Sequence, residues 1–186
     1  MLIPTTDNAA ILFLDLQQEI VKNSRTRTPP QLELAASGLA KLAALHNIPA
    51  YLSAVPPGGA FFASVTSALP GHPARMRTQT SAFADAGLVE ALKASGRKAL
   101  ILAGVASEIV VQRTALDALA AGYSAYVAVD ACGGVDPRTE DAAFRRVTAA
   151  GGATTSVITF AAETAGDFST DIGGATLGIM YSLLGA

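Results

Sequence analysis

The sequence is poor in cysteine. Cys132 is the single cysteine among 186 residues, which excludes an internal disulfide and fits a reducing compartment. We also expect no secretory leader, because the early apolar run AAILFL is followed by Asp15 rather than by a small-residue cleavage site. We therefore expect a cytoplasmic protein.

Charge is scarce as well. Charged residues make up 15% of the chain, and 13 basic against 15 acidic side chains leave a formal net charge of -2. No basic stripe could neutralise a run of phosphates, so nucleic acid is not an expected partner. Hydrophobic residues make up 51%, which is rich for a soluble monomer and predicts a homo-oligomer, a dimer or larger, in which partner subunits cover apolar surface.

The apolar run at the C-terminus is too short to span a membrane. The C-terminal run TLGIMYSLLGA (176–186) has 11 residues, whereas a transmembrane helix needs about 20. We interpret it as a buried or interface helix and expect no membrane partner. The length of the chain predicts one domain, 1–186, that is large enough to bury a sizeable core without disulfides or metal.

Several familiar site motifs are missing from the glycine-containing segment GVASEIVV. It contains no G-x-G-x-x-G, no G-x-x-x-x-G-K-[ST] and no G-x-S-x-G, so it supports no dinucleotide site, phosphate loop or serine-hydrolase elbow. The two histidines, His46 and His72, have no ligand-like neighbours. We expect neither a metal nor a cofactor.

Short, nearly continuous apolar runs alternate with segments of helical periodicity. This alternation predicts an α/β fold in which helices cover both faces of a six-stranded parallel, Rossmann-like sheet. The predicted strands are 9–16, 49–55, 74–78, 98–105, 124–131 and 153–158. The predicted helices are 31–47, 86–96, 107–123 and 138–152, with a short one at 61–69 inside the Pro/Gly-rich linker 56–73.

Ligands of open α/β sheets bind at the carboxyl ends of the strands, and three charged residues stand there. Asp15 closes the first predicted strand, Arg77 the weak third and Asp130 the fifth. Asp15 and Arg77 could form a pair for proton transfer, or Asp15 could cap a following helix through QQEIV. For Asp130 the interpretation favoured by DACGG is a turn held by local backbone hydrogen bonds.

The stretch GVASEIVVQ predicts a strand end, a sharp turn and a helix N-terminus. Its backbone N–H groups would bind negative charge and could stabilise an oxyanion. The turn itself offers no nucleophile beyond Ser107. Cys132 follows a strand among small residues, and we interpret it as a small buried hydrophobe rather than as a nucleophile.

Three segments together resemble a known family. In their order and spacing they look like the isochorismatase-like hydrolases, also called the cysteine hydrolase superfamily. The segments are AILFLDLQQ, RTQTSAF and LAGVASEIVVQRTALDALAAGYSAYVAVDACGG. The resemblance runs from about residue 8 to residue 165. It implies a six-stranded parallel α/β fold, usually oligomeric, among whose members are nicotinamidases, carbamoylases, other amidohydrolases and isochorismatases proper.

The resemblance also assigns roles, and the chain departs from them. Amidases of the family use an Asp, a Lys and a Cys; these fall on Asp15, on Arg77 in place of Lys, and on Val110 in place of the nucleophile. The family further implies a cis peptide between Val105 and Ala106, which turns the amides of Ala106 and Val110 toward the substrate. The metal-binding Asp/His set of nicotinamidases has no counterpart in the linker 56–73, which argues against that activity.

Two functions follow from this resemblance. Isochorismatases proper also manage without the cysteine, since a vinyl ether can be cleaved by protonation from the Asp and attack by water. The first function is therefore a cofactor-free hydrolase of a small molecule, with Asp15 as acid or base, Arg77 positioning an anionic substrate or stabilising developing charge, and turn amides holding an oxyanion. The second is a catalytically silent small-molecule binder or oligomeric scaffold, which Val110 favours.

Overall fold

The computed structural model describes residues 1–184. Its centre is a six-stranded parallel sheet in the order β3-β2-β1-β4-β5-β6. The strands are β1 (Ala9–Leu14), β2 (Ala50–Ala54), β3 (Arg75–Met76), β4 (Ala99–Val105), β5 (Ser124–Gly133) and β6 (Ala153–Thr155). The strand order reverses between β1 and β4, so a crevice opens beyond the carboxyl ends of these two central strands.

Helices connect the strands and follow the last one. They are α1 (Gln18–Val21), α2 (Pro29–Leu45), α3 (Ala63–Ala68), α4 (Ala86–Ala94), α5 (Gln112–Ala120), α6 (Pro137–Ala149), α7 (Val157–Ala165) and α8 (Asp171–Leu183). A 3₁₀ turn at Ala82–Ala84 precedes α4, and a π-helical turn at Ser107–Val111 runs directly into α5. Within residues 1–184, no helix combines the length and the apolar character that crossing a bilayer requires.

Both faces of the sheet are covered, as the continuous apolar strands predict. All six residues of β1 are buried; alternate ones contribute to two separate cores, because side chains of a strand alternate between faces. Ile11 and Phe13 pack in the core beneath α2, α3 and α7, whereas Leu12 and Leu14 pack in the core beneath α4, α5 and α6. The predicted fold class is confirmed.

The C-terminal helix packs on the body of the protein. Leu183 of α8 lies so close to Gly38 of α2 that a Cβ added at Gly38 would stand 2.7 Å from Leu183 Cδ2. His46 at the end of α2 contacts Thr176 of α8 at 2.9 Å. The predicted C-terminal helix is therefore present, although it begins at Asp171 and the last two residues of the run TLGIMYSLLGA lie outside the described residues.

The sheet departs from the predicted boundaries at its far edge. DACGG is not a turn, because β5 continues through it and pairs with β4 at Gly104↔Cys132 and Val105↔Gly133. The last predicted strand, 153–158, ends at Thr155, and a helix that was not predicted, α7, begins at Val157. Ser156 caps that helix by accepting a hydrogen bond from the Thr159 amide at 3.1 Å. A serine at this position is a helix-start signal, but the run ATTSVI was interpreted as a strand throughout.

Gly104 leaves no room for a side chain between β4 and β1. It pairs with Leu14 in the register of the two strands, and a Cβ at this position would collide with the Leu14 backbone carbonyl. Because Asp15 follows Leu14 and Val105 follows Gly104, this close approach lies directly below the expected site.

Candidate active site

Asp15 stands where β1 ends. Its backbone lies in the left-handed region, with φ of 53°, which Asp tolerates better than most residues. Its N–H donates to the Ser53 carbonyl of the neighbouring strand at 2.9 Å. The side chain thus leaves the strand direction and enters the crevice, while the residue itself stays 5% exposed.

Arg77, which follows β3, binds this carboxylate through two hydrogen bonds. Nη1 donates to Asp15 Oδ1 and Nη2 donates to Asp15 Oδ2, each at 2.7 Å. Nη1 also donates to Ser53 Oγ at 2.9 Å. Two parallel charge-assisted hydrogen bonds fix the orientation of the carboxylate as well as its position. The predicted pairing is observed, and the capping alternative is wrong, since α1 begins at Gln18 without any side-chain cap.

Ser53 was not predicted as part of this arrangement. Its carbonyl accepts from the Asp15 amide, and its hydroxyl accepts from the Arg77 guanidinium. The residue is 1% exposed and so anchors both partners of the ion pair from inside β2. A polar residue within the apolar run AYLSAV is the signal that could have revealed it.

Burial has the largest effect on the pKa of the Asp15 carboxyl. Loss of solvent raises the pKa of the Asp15 carboxyl above its usual value, while the hydrogen bonds and the charge of Arg77 work in the opposite direction. A carboxyl with a raised pKa exchanges protons nearer neutral pH than an exposed one. This is the property that an acid–base group needs.

The second wall of the site is the turn after β4. The Val105–Ala106 peptide is cis, as the family resemblance implies. The chain then enters the π-helical turn Ser107–Val111 and continues as α5, so Val110 lies in the first turns of a continuous helical segment. Single π-helical turns of this kind are frequent at functional sites.

Two glutamates tie this turn to the start of α6. Ser107 Oγ donates to Glu140 Oε1 at 2.7 Å, and Ser107 is fully buried. The Glu108 carboxylate accepts from the Val135 amide at 3.0 Å and from Thr139 Oγ1 at 2.7 Å. The hydroxyl of Ser107 is therefore committed to Glu140 and does not line the cavity beside Asp15.

Asp15 and the turn line a small, partly open cavity of about 220 Å³. Its walls are Asp15, Asn23 and six apolar residues, Ile20, Val105, Ala106, Ile109, Val110 and Val135. Three of the four predicted site residues, Asp15, Ala106 and Val110, thus meet at one cavity. Arg77 does not line it and lies against Asp15 instead. Ile109 and Val135, which are 52% and 46% exposed, were not predicted.

Asp130 takes no part in this cavity. It lies inside β5 rather than at its end, and its two carboxylate oxygens accept from the Val157 amide at 2.9 and 3.1 Å. Burial raises its pKa, and the bond from Val157 opposes that shift. The carboxylate fastens the start of α7 to the sheet, so its interpretation as a strand-end site candidate is wrong.

The histidines lie elsewhere. His46 Nε2 meets Thr176 Oγ1, whose own hydroxyl donates to the Ile172 carbonyl at 2.8 Å, so His46 is the donor. Burial lowers the pKa of His46. His72 is exposed and contacts the Pro70 carbonyl. Across residues 1–184, no three His, Cys, Asp or Glu side chains come together as a metal cluster.

Cys132 is expected to resist thiol reagents in the folded protein. Its side chain is fully buried in the core beneath α4, α5 and α6, and burial raises the pKa of its thiol, which suppresses the reactive thiolate. Treatment with a chromogenic disulfide reagent should titrate no thiol in buffer and one thiol per chain in denaturant. Ready labelling of the native protein, with function lost in proportion, would show that Cys132 serves the site.

Both the sequence and the structure are similar to those of known proteins. The isochorismatase domain family matches residues 9–159. The probable hydrolase YcaC of Escherichia coli K12 is 31% identical over 172 residues, which cover 90% of this chain and 83% of YcaC.

Two solved structures superpose closely. YcaC from Pseudomonas aeruginosa, solved with hexane-2,5-diol and covalent acrylamide, gives a TM-score of 0.89 at 29% identity and covers 98% of this chain and 94% of that one. The Escherichia coli YcaC structure, described as an octameric hydrolase of unknown specificity, gives a TM-score of 0.89 at 29% identity, with 97% and 89% covered.

Proposed function

Because the chain belongs to the isochorismatase family, we propose that it hydrolyses a small molecule without a cysteine nucleophile and that Asp15 is its acid–base group. One observation carries the proposal: a buried carboxylate, held in a single orientation, faces a cavity of ligand size. Val110 occupies the position of the family nucleophile and cannot form a covalent acyl intermediate.

The reaction that suits these residues proceeds through proton transfer. The Asp15 carboxylate takes a proton from water as the water oxygen attacks the electrophilic carbon of the substrate, and it gives that proton to the leaving group as the bond between this carbon and the leaving group breaks. Burial raises the pKa of the Asp15 carboxyl, which makes the carboxylate a stronger base toward water. No group other than Asp15 changes its protonation over the cycle.

Arg77 has a different role from the one first expected. Both of its terminal nitrogens are bonded to Asp15, and its side chain is 2% exposed. It is therefore a positioning residue for Asp15 rather than a holder of anionic substrate. Ser53 supports it from β2 through the hydrogen bond to Nη1.

A catalytically silent binder remains the second candidate. Val110 supports it, because the cavity presents an aliphatic side chain where the family has its reactive one. A silent protein would bind small molecules in the same cavity and show no turnover that depends on Asp15.

We also propose that the protein assembles as a homo-oligomer. Its relative YcaC from Escherichia coli is octameric. Helix α8 leaves Ile172 and Tyr181 more than half exposed, and such apolar surface is costly in water, at about 25 cal/mol per Å². Sedimentation should show a species of at least two subunits; a monomer would refute this part of the proposal.

Asp15→Asn tests the function. We expect turnover of a panel of small vinyl ethers, esters and amides to fall by about 10²–10⁴-fold, the usual contribution of an acid–base group, because the amide cannot exchange the proton. The sedimentation coefficient should stay unchanged, since Asp15 faces the cavity.

Asp130→Asn is the matched control. It neutralises a half-buried carboxylate and keeps an acceptor for the Val157 amide, but it lies outside the cavity, so turnover should stay near wild type. If Asp15→Asn retains full turnover, Asp15 is not the acid–base group. Turnover is compared for the folded fraction, because Asp15→Asn also removes the counter-charge of Arg77. Dissociation of the folded variant would place the carboxylate at a subunit interface.

A further inference from the structure

The charges around the cavity indicate which ligands it accepts. Asp15 is the single ionisable side chain among the lining residues, and the rest of the wall is one amide, Asn23, and aliphatic carbon. Within the described chain, no lysine, arginine or histidine side chain contributes to this lining. A negatively charged ligand would therefore meet a carboxylate and no free cation.

The nearest positive charge is already matched. Arg77 directs Nη1 and Nη2 at Asp15, and Nη1 is shared with Ser53. From this cavity, a ligand carboxylate could reach Nη1 and Nη2 only by displacing Asp15 from its two 2.7 Å hydrogen bonds. Repulsion between like charges beside a nearly buried carboxylate is stronger than in water.

The helix N-terminus does not reverse this balance. Its backbone dipoles favour an anion, but the carboxylates of Glu108 and Glu140 already stand at the same turn. Glu140 accepts from Ser107 Oγ, and Glu108 lies in the first turn of the π-helical segment. Two fixed negative charges offset the positive end of the helix, so the anion binding that the sequence predicts for this turn is weakened.

The size of the cavity limits the ligand. A cavity of about 150 Å³ lined by aliphatic side chains holds benzene, so the 220 Å³ here suits a compact molecule somewhat larger than that. The aliphatic side chains of Ile109 and Val110 fit a branched apolar group. Asp15 and Asn23 leave room for one polar group that can hydrogen-bond.

We propose that this cavity selects small uncharged molecules that combine a compact apolar part with one hydrogen-bonding group, and that it rejects carboxylates. The proposal rests on the site of the proposed function and names its substrate class. It replaces the expectation that Arg77 positions an anionic substrate.

Isobutyramide and isobutyrate test the selection, because they have the same shape and differ at neutral pH by one negative charge. Binding of each to the full-length protein is followed by ligand-observed nuclear magnetic resonance. We expect the amide to bind roughly tenfold or more tightly than the carboxylate, since juxtaposed like charges are costly.

Two variants locate the effect. Asp15→Asn leaves Arg77 without its counter-charge, so isobutyrate should gain affinity and the preference should disappear or reverse. Ile109→Trp narrows the cavity mouth at a position that is 52% exposed and should weaken both ligands together.

The outcomes separate this proposal from the proposed function. Equal or tighter binding of isobutyrate by the wild type overturns the selection, and so does a lack of binding by both probes. Asp15-dependent turnover of a carboxylate substrate would refute the selection and leave the hydrolase standing. Preference for isobutyramide without turnover of any substrate would support the selection and refute the hydrolase.

Discussion

Replacing Asp15 by alanine should lower the free energy of unfolding by about 3–5 kcal/mol, because the Arg77 guanidinium then stays buried without a counter-charge. Both side chains are nearly inaccessible, at 7% for Asp15 and 2% for Arg77. Taking charges out of water is costly. The bidentate pair of hydrogen bonds between Arg77 and Asp15 compensates for that cost only while both side chains are present. Urea denaturation of wild type and variant measures the difference.

The double variant Asp15→Ala with Arg77→Met makes the test specific. Both variants place alanine at the left-handed position 15, and removing both charges leaves no uncompensated ion, so the double variant should be more stable than Asp15→Ala alone, although the site is destroyed. Asp117→Ala is the control: its partner Arg113 is 58% exposed, and such surface pairs contribute about 0–1 kcal/mol. Equal losses for Asp15→Ala and Asp117→Ala would contradict the assignment of a buried ion pair.

Val110→Cys should introduce a reactive thiol into the cavity. The position lies in the first turns of a helical segment, where the backbone dipoles favour thiolate, and Arg77 adds positive charge behind Asp15. The carboxylates of Asp15, Glu108 and Glu140 and the burial of position 110, which is 2% exposed, oppose these effects. We expect the attraction to prevail and to give a thiol pKa below the ordinary value of about 8.5, with about one equivalent of iodoacetamide label per chain where the wild type takes up none.

Labelling rate against pH, read by mass spectrometry, gives that pKa directly. Adding Asp15→Asn to Val110→Cys should lower it further, because the carboxylate that opposes ionisation is gone while Arg77 remains. Cys132 is an internal control, since its burial keeps it unlabelled in both proteins. An introduced thiol that titrates normally would count against the placement of Val110 at the nucleophile position.

The sheet could be predicted from sequence because its central strands are buried on both faces. β1 and β4 are fully buried, so their apolar runs are uninterrupted and end at residues that face the crevice. Asp15 and Arg77 are separated by 62 positions, yet each follows a parallel strand, and the carboxyl ends of such strands share one edge. Their positions at the ends of parallel strands therefore predict the pair, although nothing in the sequence next to either residue does.

Other parts of the site depend on packing that no local pattern records. Asp130 stands in a segment with turn-like composition, but pairing with β4 extends β5 through it, across a register shift between Leu102 and Gly104. Val135 reaches the mouth of the cavity because Glu108 holds its backbone amide. Both placements come from contacts between distant segments, and these override local preference.

Gly104 separates two properties that are usually coupled in an active site. Its missing side chain lets the end of β1, which carries Asp15, lie against the end of β4, which leads into the turn, whereas the side chain at position 110 decides what chemistry the turn offers. A substitution at position 110 therefore changes the reactivity and one wall of the cavity. Any residue larger than glycine at position 104 would collide with the Leu14 carbonyl and displace both strand ends.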